Sequence, residues 1–113
     1  MGLRQDRLAD EIRDIIGGLF AGGHLSDPRL VGVVITAVKL TGDLQLATIY
    51  FRSYTETIPR VDIAKGLERA SGVMKRRLSE VLDVRRIPEL RFLFDESIEH
   101  GSRIEELLKK IET

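Results

Sequence analysis

Leu30–Tyr54 reads LVGVVITAVKLTGDLQLATIYFRSY, and the fold turns on it. Leu30 to Leu40 is dense in Val and Ile but too short for a second long helix, so it reads as a buried strand. Thr41 to Asp43, TGD, supplies a turn, and Leu44 to Tyr54 is a second β-rich run. Two such runs joined by a short Gly-containing turn predict an antiparallel hairpin. Phe51 is expected in its core, with Tyr50 on the opposite face.

Helical patterns flank the hairpin. Upstream, Leu8, Ile12, Ile15, Ile16 and Leu19 form one apolar stripe of a helix over Arg4–Phe20, weakened by Gly17-Gly18 and stopped by Gly22-Gly23. The loop GGHLSDPR follows, with Asp27-Pro28 as a turn signal. Downstream, Ile63, Leu67, Ala70 and Met74, then Leu78, Val81 and Leu82, keep one stripe across Ser71-Gly72. The spacing predicts two helices meeting at that break and ending at Arg85, Arg86 and Pro88.

PELRFLFD then alternates, with Leu90, Phe92 and Phe94 on one face and Glu89, Arg91, Leu93 and Asp95 on the other: a third, half-buried strand. Ser102 and Glu105 form a capping box before Ile104, Leu107, Leu108 and Ile111, a short closing helix. The order is α-β-β-α-α-β-α. It predicts an α+β domain over residues 1–113, with helices on one face of a three-stranded sheet.

Composition narrows the function. The 113 residues contain no cysteine, which excludes disulfides, thiol catalysis and cysteine-based zinc sites. The N-terminal MGLRQDRLADEIRD lacks a signal peptide's apolar core, and no stretch is long and apolar enough to span a bilayer. A soluble cytoplasmic protein is the expectation. His24 and His100 have no second histidine at metal-ligand spacing. Asp95, Glu96 and Glu99 read as a solvated strand end rather than an acid–base pair. GGLFAGG lacks the Lys-Ser/Thr of a P-loop. No enzyme signature emerges, and no cofactor or small-molecule substrate is expected.

The formal net charge is zero, with 18 basic and 18 acidic residues, but the signs are segregated. Arg60–Arg86 carries a balance of +4 and Ile87–Thr113 one of −3. Lys65, Arg69, Gly72 and Arg76 fall on one helical face opposite the apolar stripe, flanked by Lys75, with Arg77 further round. This is either an ordinary solvated face or a phosphate-binding surface in which a glycine among cations admits a backbone closely. A break at Gly72 would also free helix N-terminal amides for an anion. Arg85 and Arg86 extend the surface or cap the helix end. Asp27, Pro28 and Arg29 read as a structural turn that fixes strand entry.

Several ordered blocks carry a family resemblance: DPRL at Asp27–Leu30, VVITAVKLTGDLQLATIYF at Val33–Phe51, ASG at Ala70–Gly72, and RRIPELRFLFDESIEHGSRIEELL at Arg85–Leu108. Between Arg4 and Ile111 the chain resembles the ribosome-binding factor A family of bacterial small-subunit assembly factors. The resemblance implies a type II K-homology-like fold in which Ala70-Ser71-Gly72 replaces the usual GxxG loop and kinks the helix pair. It implies a non-catalytic role: binding of 16S rRNA in the immature 30S subunit, late maturation including 5′-end processing, and growth in the cold. It further implies a monomer whose RNA-binding residues are Lys65, Arg69, Ala70, Ser71, Gly72, Lys75, Arg76, Arg77, Arg85 and Arg86. The alternative is a protein-interaction module that docks a basic partner through the acidic C-terminal segment. Family members are often clearly basic and carry a longer C-terminal extension. This chain is neutral and stops at Thr113, so a tail's role is not expected here.

Overall fold

The computed structural model describes residues 3–55 and 57–96. Helix α1 spans Leu3–Ala21 and buries Leu8, Ala9, Ile12, Ile16 and Leu19, the expected stripe except that Ala9 joins it and Ile15 is only half-buried. Its end is fixed by backbone geometry. The His24 amide donates to the Leu19 carbonyl at 3.1 Å and the Gly23 amide to Phe20 at 3.3 Å, with Gly23 at φ +71°. This pairing satisfies two terminal carbonyls and needs a left-handed residue, which glycine adopts without a Cβ clash.

A 3-10 turn at Pro28–Leu30 follows, capped by Asp27, whose carboxylate accepts the Arg29 amide at 3.0 Å. Leu30 is thereby turned into the core, and the structural reading of this turn holds. Strand β1 is Val33–Leu40 and β2 is Leu46–Ser53, an antiparallel pair as expected. The connection is longer than TGD alone: Leu44 sits at φ 62°, and Asp43 accepts the Thr41 hydroxyl at 2.6 Å and the Gln45 amide at 3.1 Å.

The β1–β2 register shifts between Ile35 and Ala37, a one-residue bulge at Thr36. Before it, Val33 and Ile35 oppose Ser53 and Phe51; after it, Val38 and Leu40 oppose Ile49 and Ala47. Apolar residues of opposite parity thus reach the same face. On β2 the alternation is uninterrupted, burying Ala47, Ile49 and Phe51 while Thr48, Tyr50 and Arg52 are only half-buried.

Helix α2, Arg60–Val81, carries the chain back so that β3, Glu89–Phe94, pairs parallel with β2 from Leu46↔Glu89 to Phe51↔Phe94. A parallel neighbour requires such a crossover. The sheet order is β1-β2-β3. One core joins α1 and α2 to the inner sheet face, with Phe51, Ile12, Ile16, Ile49, Ile63, Leu67, Met74 and Leu78 virtually inaccessible. This is the α+β, K-homology-like architecture anticipated, with α1 lying over β1 and α2 over β3.

Three expectations change. The two helices predicted around Ser71-Gly72 are one continuous helix of 22 residues. A mid-helix glycine costs about 1 kcal/mol, whereas each fully buried large apolar side chain contributes roughly 1.5–3 kcal/mol. Ile63 and Leu67 before the break and Met74 and Leu78 after it are all buried, so packing prevails. The helix also ends at Val81 rather than at Arg85-Arg86, because Leu82 turns extended and inserts into the core, leaving Val81 exposed. Asp95 is not a solvated strand end: it is buried and accepts the Thr36 hydroxyl at 2.6 Å. The predicted closing helix at Ser102–Ile111, with His100 and Glu99, lies outside the described residues.

The inner and outer faces should separate in mutagenesis. Phe51→Ala should destabilise by about 3–5 kcal/mol, and Val34→Thr on the outer face should stay within about 0.5 kcal/mol, both read from denaturant midpoints.

Candidate nucleic-acid interface

Continuity of α2 determines how its cations are displayed. At 100° per residue, Lys65, Arg69, Gly72 and Arg76 form one row on the exposed face, opposite the buried stripe. Among the described residues, Lys65, Arg69 and Arg76 make no ion pair. Lys75 turns toward the sheet and binds Glu89 of β3, Nζ to Oε2 at 2.8 Å. Arg77 reaches the other flank and pairs with Glu80 at 3.3 Å. The three consecutive cations therefore point in three directions.

Ala70, Ser71 and Gly72 sit within the helix. Ser71 donates its hydroxyl to the Glu68 carbonyl at 2.7 Å, a back-bond within the preceding turn. The expected free amides at a second helix start are absent, since these N–H groups belong to the helical ladder. An anion at this triplet would meet side chains and the bare Gly72 backbone rather than free amides. Arg85 and Arg86 are exposed but lie in the α2–β3 connection, beyond the helix end, so they do not cap it.

Glycines on α2 differ in what they accommodate. A Cβ at Gly66 would stand 3.1 Å from Leu30 Cδ2 and 3.4 Å from Arg29, so that glycine lets the Pro28–Leu30 turn lie against the helix. A Cβ at Gly72 would meet nothing within 4 Å among the described residues. Among the described residues, no contact requires a glycine at position 72.

Beside this face, on the flank of α2 nearest α1, two clefts open. One, about 380 Å³, is lined by residues including His24, Ser26, Asp27, Arg69, Ala70 and Val73. The other, about 350 Å³, is lined by Ile15, Gly18, Leu19, His24 and Arg77. Asp27 is committed within the turn: the Arg29 guanidinium binds its carboxylate at 2.7 Å, and that contact together with the Arg29 amide lowers its pKa from 3.8 to about 2. From sequence, His24–Pro28 reads only as a loop. Its proximity to the cations arises from the packing of Pro28–Leu30 on Gly66, a long-range contact; the one local clue is a histidine following Gly22-Gly23.

The described residues contain no cluster of three or more potential metal ligands and no helix long and apolar enough to cross a membrane. Comparison with known proteins gives a consistent result. The sequence profile of the family described as Ribosome-binding factor A matches residues 4–108. A ribosome-binding factor A of Geobacter sulfurreducens is 41% identical over 110 residues, covering 97% of this chain and 92% of the relative. The crystal structure of ribosome-binding factor A from Thermus thermophilus superposes with a TM-score of 0.71 at 24% identity, covering 80% of this chain and 93% of the other. Thermus thermophilus ribosome binding factor A coordinates fitted into a cryo-EM map of a 30S complex give a TM-score of 0.66 at 23% identity, covering 81% and 96%.

Two stability measurements probe this geometry. Gly72→Ala should stabilise the chain by about 0.4–1 kcal/mol, and Gly66→Ala should gain less because its methyl meets Leu30. The Asp27 carboxyl titrates lower in the folded chain, so its contribution is complete above about pH 4 and lost as pH falls toward 2. The midpoint difference between the unaltered chain and Asp27→Asn should therefore shrink over that acid range.

Proposed function

The chain belongs to the ribosome-binding factor A family, and we propose that it binds 16S rRNA of the immature 30S subunit through the outer face of α2. In this reading it acts without catalysis or cofactor, as a cytoplasmic monomer. It supports late small-subunit maturation, including 5′-end rRNA processing and growth in the cold.

One observation carries the proposal. Gly72 lies on the exposed face of a regular helix, in the row containing Lys65, Arg69 and Arg76, with no described residue where its side chain would be. A glycine there forgoes about 1 kcal/mol of helix stability relative to alanine. Close approach of a partner's backbone accounts for that loss, and the flanking cations suit a partner bearing phosphates. Lys75 and Arg77 adjoin the row from either side. Their exposed pairs with Glu89 and Glu80 are worth only about 0–1 kcal/mol, so phosphate can compete for them. Arg85 and Arg86 extend the cationic surface beyond the helix end.

Contact with about three phosphates of a single strand gives a log–log salt slope near −2. The Arg69→Glu, Arg76→Glu double variant should fold normally, lose cosedimentation with precursor 30S particles, and flatten the residual salt dependence. Normal cosedimentation of that variant would refute the cationic row as the rRNA contact. Crosslinks to ribosomal protein alone would replace RNA as the partner.

A further inference from the structure

The two clefts beside α2 meet at one side chain, His24, which lines both. Its ring has a prepared seat: a Cβ on Gly22 would stand 2.7 Å from His24 Cδ2 and 2.9 Å from Nε2. The imidazole therefore lies over the bare Gly22 backbone. The segment beneath it is fixed by the hydrogen bond from the His24 amide to Leu19 and by the left-handed Gly23. The backbone beneath the ring is thus fixed, and the ring rests against Gly22 while the residue stays exposed.

Across the clefts from His24 stands the flank of α2 that carries Arg69, Val73 and Arg77. These residues recur every fourth position, so the two guanidinium-bearing residues are about 12 Å apart along the helix axis, with Val73 between them. Val73 is 48% exposed, an apolar side chain left open between two cations. Leu25 and Leu30 give the first cleft an apolar floor, as Ile15 and Leu19 do the second. The acidic group in the lining, Asp27, is already paired with Arg29.

We propose that an unpaired RNA nucleobase stacks on the His24 imidazole where the two clefts meet, with Arg69 in one cleft and Arg77 in the other holding the phosphates on either side of it. The inference rests on the RNA reading of the α2 face and adds a base subsite to it. Single-stranded RNA is recognised by stacking splayed bases on aromatic rings, histidine included, beside cations that track the backbone. The flat π-face of a base covers the apolar floor while its flanking phosphates engage the arginines. An apolar protein side chain would use the floor and make no use of the two arginines. The subsite lies on the α1 side of α2, away from the Lys75–Glu89 contact with β3.

The test uses the full chain with a fluorescently labelled single-stranded oligoribonucleotide of mixed sequence and its abasic counterpart. His24→Ala should weaken binding of the base-containing strand about 5- to 100-fold, with an unchanged salt slope and little effect on the abasic strand. His24→Phe, which keeps a ring without a titratable nitrogen, should retain most of the affinity, and denaturant midpoints should verify folding of both variants. Equal effects of His24→Ala on the two strands, or none on either, would overturn the base subsite. If that occurs while Arg69→Glu, Arg76→Glu abolishes binding, the rRNA reading stands alone. If the unaltered chain binds neither the oligoribonucleotide nor precursor 30S particles, both fall.

Discussion

The bulge at Thr36 is the constraint on which the sheet depends. It lets Val33 and Ile35, then Val38 and Leu40, all face the helices. Without the extra residue, strict alternation would place Lys39 on the inner side with Val33 and Ile35, and an unpaired buried ammonium is far costlier than a local kink. The bulge is held from across the sheet. Thr36 donates to the buried Asp95 just after β3, and the Asp95 amide donates to Phe51 of β2 at 2.8 Å. One residue thus links all three strands. Its neighbour Phe94 meets Phe51 edge-on at 5.7 Å and lies beneath Arg60, whose guanidinium is 3.6 Å from the ring centroid. The first residue of α2 is thereby set against the end of β3, and the position of the cationic helix follows from the sheet.

Local periodicity makes much of this fold legible in the sequence. The stripe of α1, the alternation of β2 and β3 and the crossover order all appear where the pattern places them. What escapes depends on contacts between distant residues. The Thr36 bulge is invisible because its acceptor is 59 positions away. Asp95 looks like solvated charge for the same reason. A helix break at Ser71-Gly72 is a sound local inference that tertiary burial overrides, since four inaccessible side chains straddle it.

That override alters how the cationic surface works. A true break would have offered backbone amides to an anion; a continuous helix offers a rigid row of side chains instead. Rigidity gives the row its register: Lys65, Arg69, Gly72 and Arg76 align because the helix turns by a constant angle through the glycine. The residue types are therefore readable and the grouping nearly so, while the donors differ from those the pattern suggests. Lys75 and Arg77, neighbours of Arg76 in sequence, belong to different flanks of the helix. No count of consecutive cations distinguishes them.

A neutral chain is compatible with an anion-binding face when the two signs occupy different places. Here the acidic partners Glu80 and Glu89 hold Arg77 and Lys75 at the edges and leave Lys65, Arg69 and Arg76 to define the central row. Exposed pairs of this kind are weak enough to exchange for a phosphate, yet the carboxylates remain nearby and repel polyanions that do not fit. Such a surface gains less from diffuse charge than a uniformly basic one and depends more on shape. In the proposed RNA-binding reading Gly72 and the bordering cleft would supply that shape, and close approach rather than net charge would carry discrimination between nucleic-acid partners.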